Sequence, residues 1–399
     1  CINNACTSTS SNVAYMAISP AGELSRPAGC LGGSYQGTGW CIDSTNTISG
    51  GVAASSAVVF GDTLYLVGGL TGSGNTGKVV RATLKKDGGV NSWTSQDLSA
   101  LGAANVSFSF AYARANAANA ATNPGNLYIF GGCTTSSGAN CSAYSGAVHK
   151  CNIATNGAID SCSTSGQQQI GTLSGASGAG IAGFGGAVYA DYIYLIGGAS
   201  PGIDSANSVH YARFDGSNNV VSTGGWADAG ASLNTSRRHT TTFSNNGYLY
   251  AVGGYNSTGG SMASPSVEYV RINVDDGSLD GDISNDGDWF ASTSTTSQRW
   301  GSSTAVANSR AYSIGGCTAG AAPGSCSART DQIQSVELHN NNGGGATGFT
   351  TAANTYASNP NRFGAGTAVY DGYLYVAGGC IGTATCPTAL NSVTYAKIN

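Results

Sequence analysis

Short apolar runs alternate along this chain with connections rich in Gly, Ser and Asn, and one kind of run recurs six times. The six copies are Leu64-Tyr65-Leu66-Val67-Gly68-Gly69, Leu127-Tyr128-Ile129-Phe130-Gly131-Gly132, Ile193-Tyr194-Leu195-Ile196-Gly197-Gly198, Leu249-Tyr250-Ala251-Val252-Gly253-Gly254, Ala311-Tyr312-Ser313-Ile314-Gly315-Gly316 and Leu374-Tyr375-Val376-Ala377-Gly378-Gly379. Successive glycine pairs are 63, 66, 56, 62 and 63 residues apart. A period this regular means one supersecondary unit repeated, each copy burying its face against the next.

Four strand-like segments can be read in each unit. The first is small and apolar, at 52–60, 106–112, 181–189, 240–243, 303–307 and 366–370. A tight turn such as Phe60-Gly61-Asp62 follows, then the Tyr-x-x-Gly-Gly strand. The third alternates apolar and polar residues, clearest at 79–84, 209–214, 267–272 and 393–398, the mark of a strand with one buried face. The fourth carries Trp93, Trp226 or Trp289, and the second and fifth units lack that Trp. Helical periodicity is absent, so the expected class is all-β.

This order of strands resembles the kelch repeat of β-propellers, over roughly residues 40–399. The resemblance implies a six-bladed β-propeller with kelch-like four-stranded blades. The last unit stops after its third strand, and Gly39-Trp40-Cys41-Ile42-Asp43-Ser44 has the character of the missing fourth. An N-terminal strand is therefore expected to close the last blade. The expected division is 1–48, an N-terminal segment completing that blade, and 49–399, the propeller. Within the former, residues 13–18 read as an extra strand, placed either as a fifth strand or on a neighbouring subunit. The third-segment style at 267–277 is similar to kelch-type propellers of bacterial surface proteins.

Composition changes the picture in one respect. Charged residues are 9% of the chain, against roughly 25% in ordinary soluble proteins, and the net charge is −4. That leaves no basic field for nucleic acid, and no apolar run is long enough to insert directly in a membrane. Twelve cysteines fall into close neighbours: Cys1 and Cys6, Cys30 and Cys41, Cys133 and Cys141, Cys151 and Cys162, Cys317 and Cys326, Cys380 and Cys386. Six local disulfides are expected, hence an oxidising, extracellular or cell-surface setting. The chain begins at Cys1 and reads as a processed or partial product. Asn105, Asn140, Asn234 and Asn256 head N-glycosylation triplets.

Two constellations carry candidate chemistry. Three consecutive units start with Arg and then His or an aromatic: Arg238-His239, Arg299-Trp300 and Arg362-Phe363. Around a propeller axis these guanidiniums could converge on a carboxylate while Trp300 stacks on a sugar face. The alternative is that Arg belongs to the repeat and bonds backbone carbonyls of the next blade. The second is Asp280-Gly281-Asp282-Ile283-Ser284-Asn285-Asp286-Gly287-Asp288, whose Asp280, Asp282, Ser284, Asp286 and Asp288 resemble the start of an oxygen-rich Ca2+ loop. It lacks a Glu at the twelfth position, where Thr293 stands. His149, His210 and His339 are expected on third strands facing outward, and Glu268 and Glu337 at the second position of third strands, away from the axis.

The function expected from these features is a non-enzymatic extracellular propeller: an adhesion, glycan-binding or self-assembling surface or filament subunit. Its partners would be carbohydrate or further copies of itself, with Ca2+ as the one candidate cofactor. The alternative is a secreted enzyme acting on an acidic sugar, mutarotase-like or sialidase-like, since the resemblance includes sialic acid mutarotases. It needs a proton donor beside the arginines.

Overall fold

The computed structural model describes residues 24–25, 34–36, 40–43, 46–101, 105–137, 140–173, 175–222, 225–256, 266–280, 289–292, 297–320, 326–338, 349–351, 362–381 and 388–398. Six antiparallel sheets follow one another, each with consecutive strands side by side. Blade I is Ser56–Phe60, Thr63–Val67, Lys78–Thr83 and Thr94–Asp97. Blade II is Phe110–Ala115, Gly125–Phe130, Val148–Ile153 and Ile159–Ser163. In blade III, Gly185–Tyr189, Tyr192–Ile196 and Val209–Phe214 are followed by a fourth strand in two pieces, Val220–Val221 and Ala227–Asp228. Blade IV repeats this with Thr241–Asn245, Tyr248–Val252, Val267–Ile272, Leu279–Asp280 and Phe290–Ala291. Blade V is Ser303–Ala307, Arg310–Ile314, Ile333–Glu337 and Thr350–Thr351.

Blade VI closes the ring as expected. Gly366–Tyr370, Tyr373–Ala377 and Val393–Ile398 take Trp40–Asp43 as fourth strand, with Cys41 opposite Tyr395 and Asp43 opposite Val393. Ser34–Gln36 pairs outside it as a fifth strand, and Leu24–Ser25 meets the far end of Val393–Ile398. The strand expected at 13–18 lies outside the described residues.

Register explains the fourth-strand Trp and its two exceptions. The fourth-strand residue opposite the middle of the third strand follows Trp93 in blade I, Trp226 in III, Trp289 in IV and Trp40 in VI: Thr94 faces Arg81, Ala227 faces Tyr211, Phe290 faces Tyr269 and Cys41 faces Tyr395. The same place holds Phe349 in blade V and Cys162 in blade II, where Cys162 sits opposite Cys151 and is disulfide-bonded to it. A cross-strand disulfide and a Phe thus fill the space an indole fills elsewhere.

At three junctions the repeated Tyr of the second strand bolts one blade to the next. Tyr65 Oη donates to Gly157 O (2.9 Å), Tyr128 Oη to Asn218 O (2.5 Å) and Tyr194 Oη to Gly277 O (2.9 Å), each acceptor lying in the third-to-fourth turn of the following blade. Burial pushes the Tyr65 hydroxyl up to about 12 and raises Tyr128 and Tyr194 as well, so all three remain donors. Apolar clusters fill the space between neighbours; Leu64, Leu66 and Val80 of blade I pack with Tyr375 and Tyr395 of blade VI, so the closing seam has a packed apolar core of its own.

Disulfides Cys133–Cys141 and Cys317–Cys326 staple the loops after two glycine pairs, and Cys151–Cys162 is the cross-strand bond. Cys41 and Cys380 are also disulfide-bonded. Their expected partners Cys30 and Cys386, and the pair Cys1 and Cys6, lie outside the described residues.

Candidate functional site

Six residues, one per blade, form a closed ring of backbone hydrogen bonds around the axis. Phe108 N donates to Ala54 O (2.9 Å), Gly183 N to Phe108 O (3.0 Å), His239 N to Gly183 O (2.6 Å), Gly301 N to His239 O (3.0 Å), Gly364 N to Gly301 O (2.8 Å) and Ala54 N to Gly364 O (2.7 Å). All six have φ between 51° and 61°, the left-handed region that aims each amide at the preceding blade. Three blades use Gly there. Ala54, Phe108 and His239 instead carry side chains at a backbone conformation costing roughly 1–2 kcal/mol for a non-Gly residue.

A second ring of bonds surrounds the first. The second glycine of each pair donates to the residue two before the next blade's ring member: Gly69 to Val106, Gly132 to Ile181, Gly198 to Arg237, Gly254 to Arg299, Gly316 to Arg362 and Gly379 to Val52, at 2.7–3.0 Å. A Cβ on Gly315 would stand 2.7 Å from Arg362 O. The glycine pair is therefore a site of close backbone approach between blades, as well as a turn.

These rings set the register of the arginines, and the sequence alignment of them needs correcting. Arg237, not Arg238, is the counterpart of Arg299 and Arg362. Each of the three lies sixteen residues before the first glycine of its own blade's pair and donates Nη1 to that glycine's carbonyl: Arg237 to Gly253 (2.9 Å), Arg299 to Gly315 (3.1 Å), Arg362 to Gly378 (2.7 Å). Arg299 also reaches Gln332 O (3.0 Å) and Arg362 reaches Ser392 Oγ (3.2 Å). All three are buried. They tie the second strand to the third within one blade, rather than bonding the next blade or converging on the axis. Arg237 additionally forms a buried ion pair with Glu268, whose carboxylate also accepts from Asn234 N (2.7 Å).

Arg238 has a different environment. It is 3% exposed, bonds the half-exposed Asp204 (2.9 Å) and lies over the Tyr255 ring at 5.1 Å. Its Nε and Nη2 have no partner among the described residues.

The other members of the predicted set do gather on the axis. His239, Trp300 and Phe363 line a cavity of about 160 Å³ enclosed by the backbone ring, together with Phe108 and Phe184, which sequence reasoning missed. The rings of His239 and Phe108 are 4.7 Å apart, His239 and Trp300 5.6 Å, and Trp300 and Phe363 5.4 Å. Ser55, Ser109, Thr240 and Ser302 complete the polar part of the wall. Among the described residues, no carboxylate, lysine or arginine lines it. Three atoms on this wall are buried without a hydrogen-bond partner among the described residues: Ser55 Oγ, Ser109 Oγ and Trp300 Nε1. Counting back from the glycine pair does not reveal Phe108, which stands 23 residues before Gly131 where the other five ring members stand 14 before theirs, and the place of Phe184 holds Ser55, Thr240, Ser302 or Ala365 in other blades.

The remaining candidate residues separate. Asp280 is exposed at the end of Leu279–Asp280; Asp282, Ser284, Asp286 and Asp288 lie outside the described residues, as does His339. His149 and His210 are buried rather than outward-facing, at 6% and 3% exposure. They hold the second position of third strands, opposite Ile129 and Leu195, where Glu268 and Gln334 stand in blades IV and V. Burial lowers both histidines below the ordinary imidazole value. Glu337 is not at that position; it ends its strand beside Arg310 at 3.9 Å.

Comparison with known proteins bears on the fold. Residues 361–393 match the Kelch motif. The solved structure of YjhT is similar to this chain at TM-score 0.55 and 15% identity, over 87% of this chain and 95% of that one, one of 414 solved chains that match. No curated protein matches the sequence. Strand order, ring closure and motif together define a kelch-type six-bladed β-propeller.

Proposed function

We propose that this propeller is a non-enzymatic extracellular binding module whose axial cavity takes an uncharged sugar residue, in the service of adhesion or surface assembly. The observation that carries the reading is the set of unmet hydrogen-bonding atoms, Ser55 Oγ, Ser109 Oγ and Trp300 Nε1, on a wall otherwise built of Phe108, Phe184, His239 and Phe363. Buried polar atoms without partners are costly, and a ligand with hydroxyls on its edge and C–H groups on its face satisfies both parts of that wall. A cavity of about 160 Å³ accepts one sugar ring with its linkage projecting from the mouth. Local disulfides and low charge support an extracellular setting of the kind found for bacterial surface propellers.

A carboxylated sugar is the second reading, favoured by the two unpartnered nitrogens of Arg238 beside the ring. Catalysis on such a sugar has less support, because among the described residues of the lining His239 alone is titratable. Self-association has only composition behind it: Val274 is the one large hydrophobic exposed among the described residues. The test is a glycan array with the wild type and His239→Gly. Because Gly183, Gly301 and Gly364 occupy the same ring position, this variant removes the side chain without opposing the backbone. Loss of neutral-glycan binding with the melting temperature retained is expected. Equal binding by both proteins would remove the axial site, and binding confined to acidic glycans would replace the first reading by the second.

A further inference from the structure

Far from the axis, a groove of about 350 Å³ runs along the outer edge between blades III and IV. Its origin is a defect in the ladder. Val221 pairs with Arg213 and Ala227 with Tyr211, so among the described residues the fourth strand of blade III pairs nothing with Ala212. In blade I the equivalent fourth strand runs unbroken, residue for residue, from Thr94 to Asp97. The opening exposes the side of Tyr211, which stacks on the buried Tyr194 at 6.1 Å and is set at 53° to Tyr192 with 6.2 Å between centroids. The third-to-fourth turn of blade IV forms the opposite bank and is fixed there by Tyr192 Oη donating to Asp275 O (3.1 Å).

We propose that this groove is a second carbohydrate site, one that takes a neutral sugar against Tyr192 and Tyr211. The proposal rests on the carbohydrate reading above. Two half-buried tyrosine faces at an angle offer a platform for sugar C–H groups. Around it stand Arg213, Asp275, Asp276 and Ser222, a planar donor, two carboxylate acceptors and a hydroxyl, suited to vicinal hydroxyls. Asp276 Oδ1 is engaged by Ser278 N (2.9 Å) and Oγ (2.6 Å), which orients that carboxylate. Among the described residues, neither the Arg213 guanidinium nor the Asp275 carboxylate has a hydrogen-bond or ion-pair partner. A cationic ligand caged between the rings fits less well, because centroids 6.2 Å apart leave no room for a cation between them, and Arg213 opposes it. The volume falls in the range of small-molecule sites, above that of the axial cavity. Two separated sugar sites on one propeller would let it engage a glycan surface with avidity rather than affinity.

The experiment measures binding stoichiometry by calorimetry for methyl glucoside, methyl galactoside, methyl mannoside and N-acetylglucosamine at millimolar concentration. Four proteins are compared: wild type, His239→Gly, Arg213→Ala/Asp275→Ala, and all three substitutions together. Arg213 and Asp275 are exposed, so the double variant keeps its fold, checked by near-ultraviolet circular dichroism. The expected result is two sites in the wild type, one in each partial variant and none in the combination, with affinity of the outer site falling about tenfold or more. Stoichiometry unchanged by the double variant, or no binding of any test sugar, overturns the outer site. Loss through Arg213→Ala/Asp275→Ala alone, with His239→Gly silent, upholds it and overturns the axial reading instead.

Discussion

Gly315 and Gly61 offer a controlled comparison of what the glycine pairs do. Their φ values are +61° and +60°, so Ala meets the same backbone strain at either, about 1–2 kcal/mol. Partial compensation of about 0.4–1 kcal/mol, from the restricted unfolded chain, also applies to both. Their surroundings differ. A Cβ on Gly61 meets nothing within 4 Å, whereas on Gly315 it lies 2.7 Å from Arg362 O and 3.5 Å from Thr330 O. Relieving that overlap means moving two blades apart, a strain of about 1–3 kcal/mol. It also stretches the bond from Gly316 N to Arg362 O, now 3.0 Å, costing about 1 kcal/mol more. Gly315→Ala should therefore lose about 3–4 kcal/mol and Gly61→Ala about 1 kcal/mol. With about 2 cal/mol/K of unfolding entropy per residue over 399 residues, the difference corresponds to about 3 °C. Urea unfolding followed by Trp fluorescence, with calorimetry for the melting temperature, measures both. Equal losses would refute the idea that inter-blade approach selects the second-strand glycine.

Other expectations follow from single residues. Arg299→Met should cost about 2 kcal/mol by stranding the carbonyl of Gly315, Gln332 O keeping the Gly315 amide, while folded molecules bind sugar as before; unfolding curves and an array separate the two effects. Tyr194→Phe should lose about 1 kcal/mol with its buried bond to Gly277 O, measured in the same unfolding assay. His149 is held below its ordinary 6.5 by burial, and neither ring nitrogen has a partner among the described residues. The unfolded chain thus takes up the proton first, and stability falls as pH drops below about 6.5, the group making no difference above it. His149→Leu should flatten that acid limb and leave stability at alkaline pH equal or higher. His210, shifted in the same direction, keeps part of the slope.

The repeat makes much of this architecture readable in the sequence alone. Six second strands, their glycine pairs and the closing strand at Trp40–Asp43 all announce themselves, because burial between blades imposes the same residue types each time. Missing Trp in blades II and V was legible as a departure, but not its replacement by Cys162 and Phe349, since either fills the volume. The arginines misled for a local reason. Arg237-Arg238-His239 contains two candidates, and similarity to Arg299-Trp300 and Arg362-Phe363 selects the second; only the sixteen-residue distance to the glycine carbonyl selects the first. Outward placement of His149 and His210 fails because the first two positions of these third strands are both buried, so alternation does not hold there. Axial Phe108 was invisible because the ring constrains backbone φ, which a side chain does not advertise.

Nuclear magnetic resonance mapping of the six ring amides with a bound methyl glycoside tests the central claim most directly. Sugar in the axial cavity should shift the amides of Phe108, His239, Gly301 and Gly364 together with the indole Nε1–H of Trp300, leaving the guanidiniums of Arg299 and Arg362 unmoved. Shifts at those arginines with a silent ring would contradict the account.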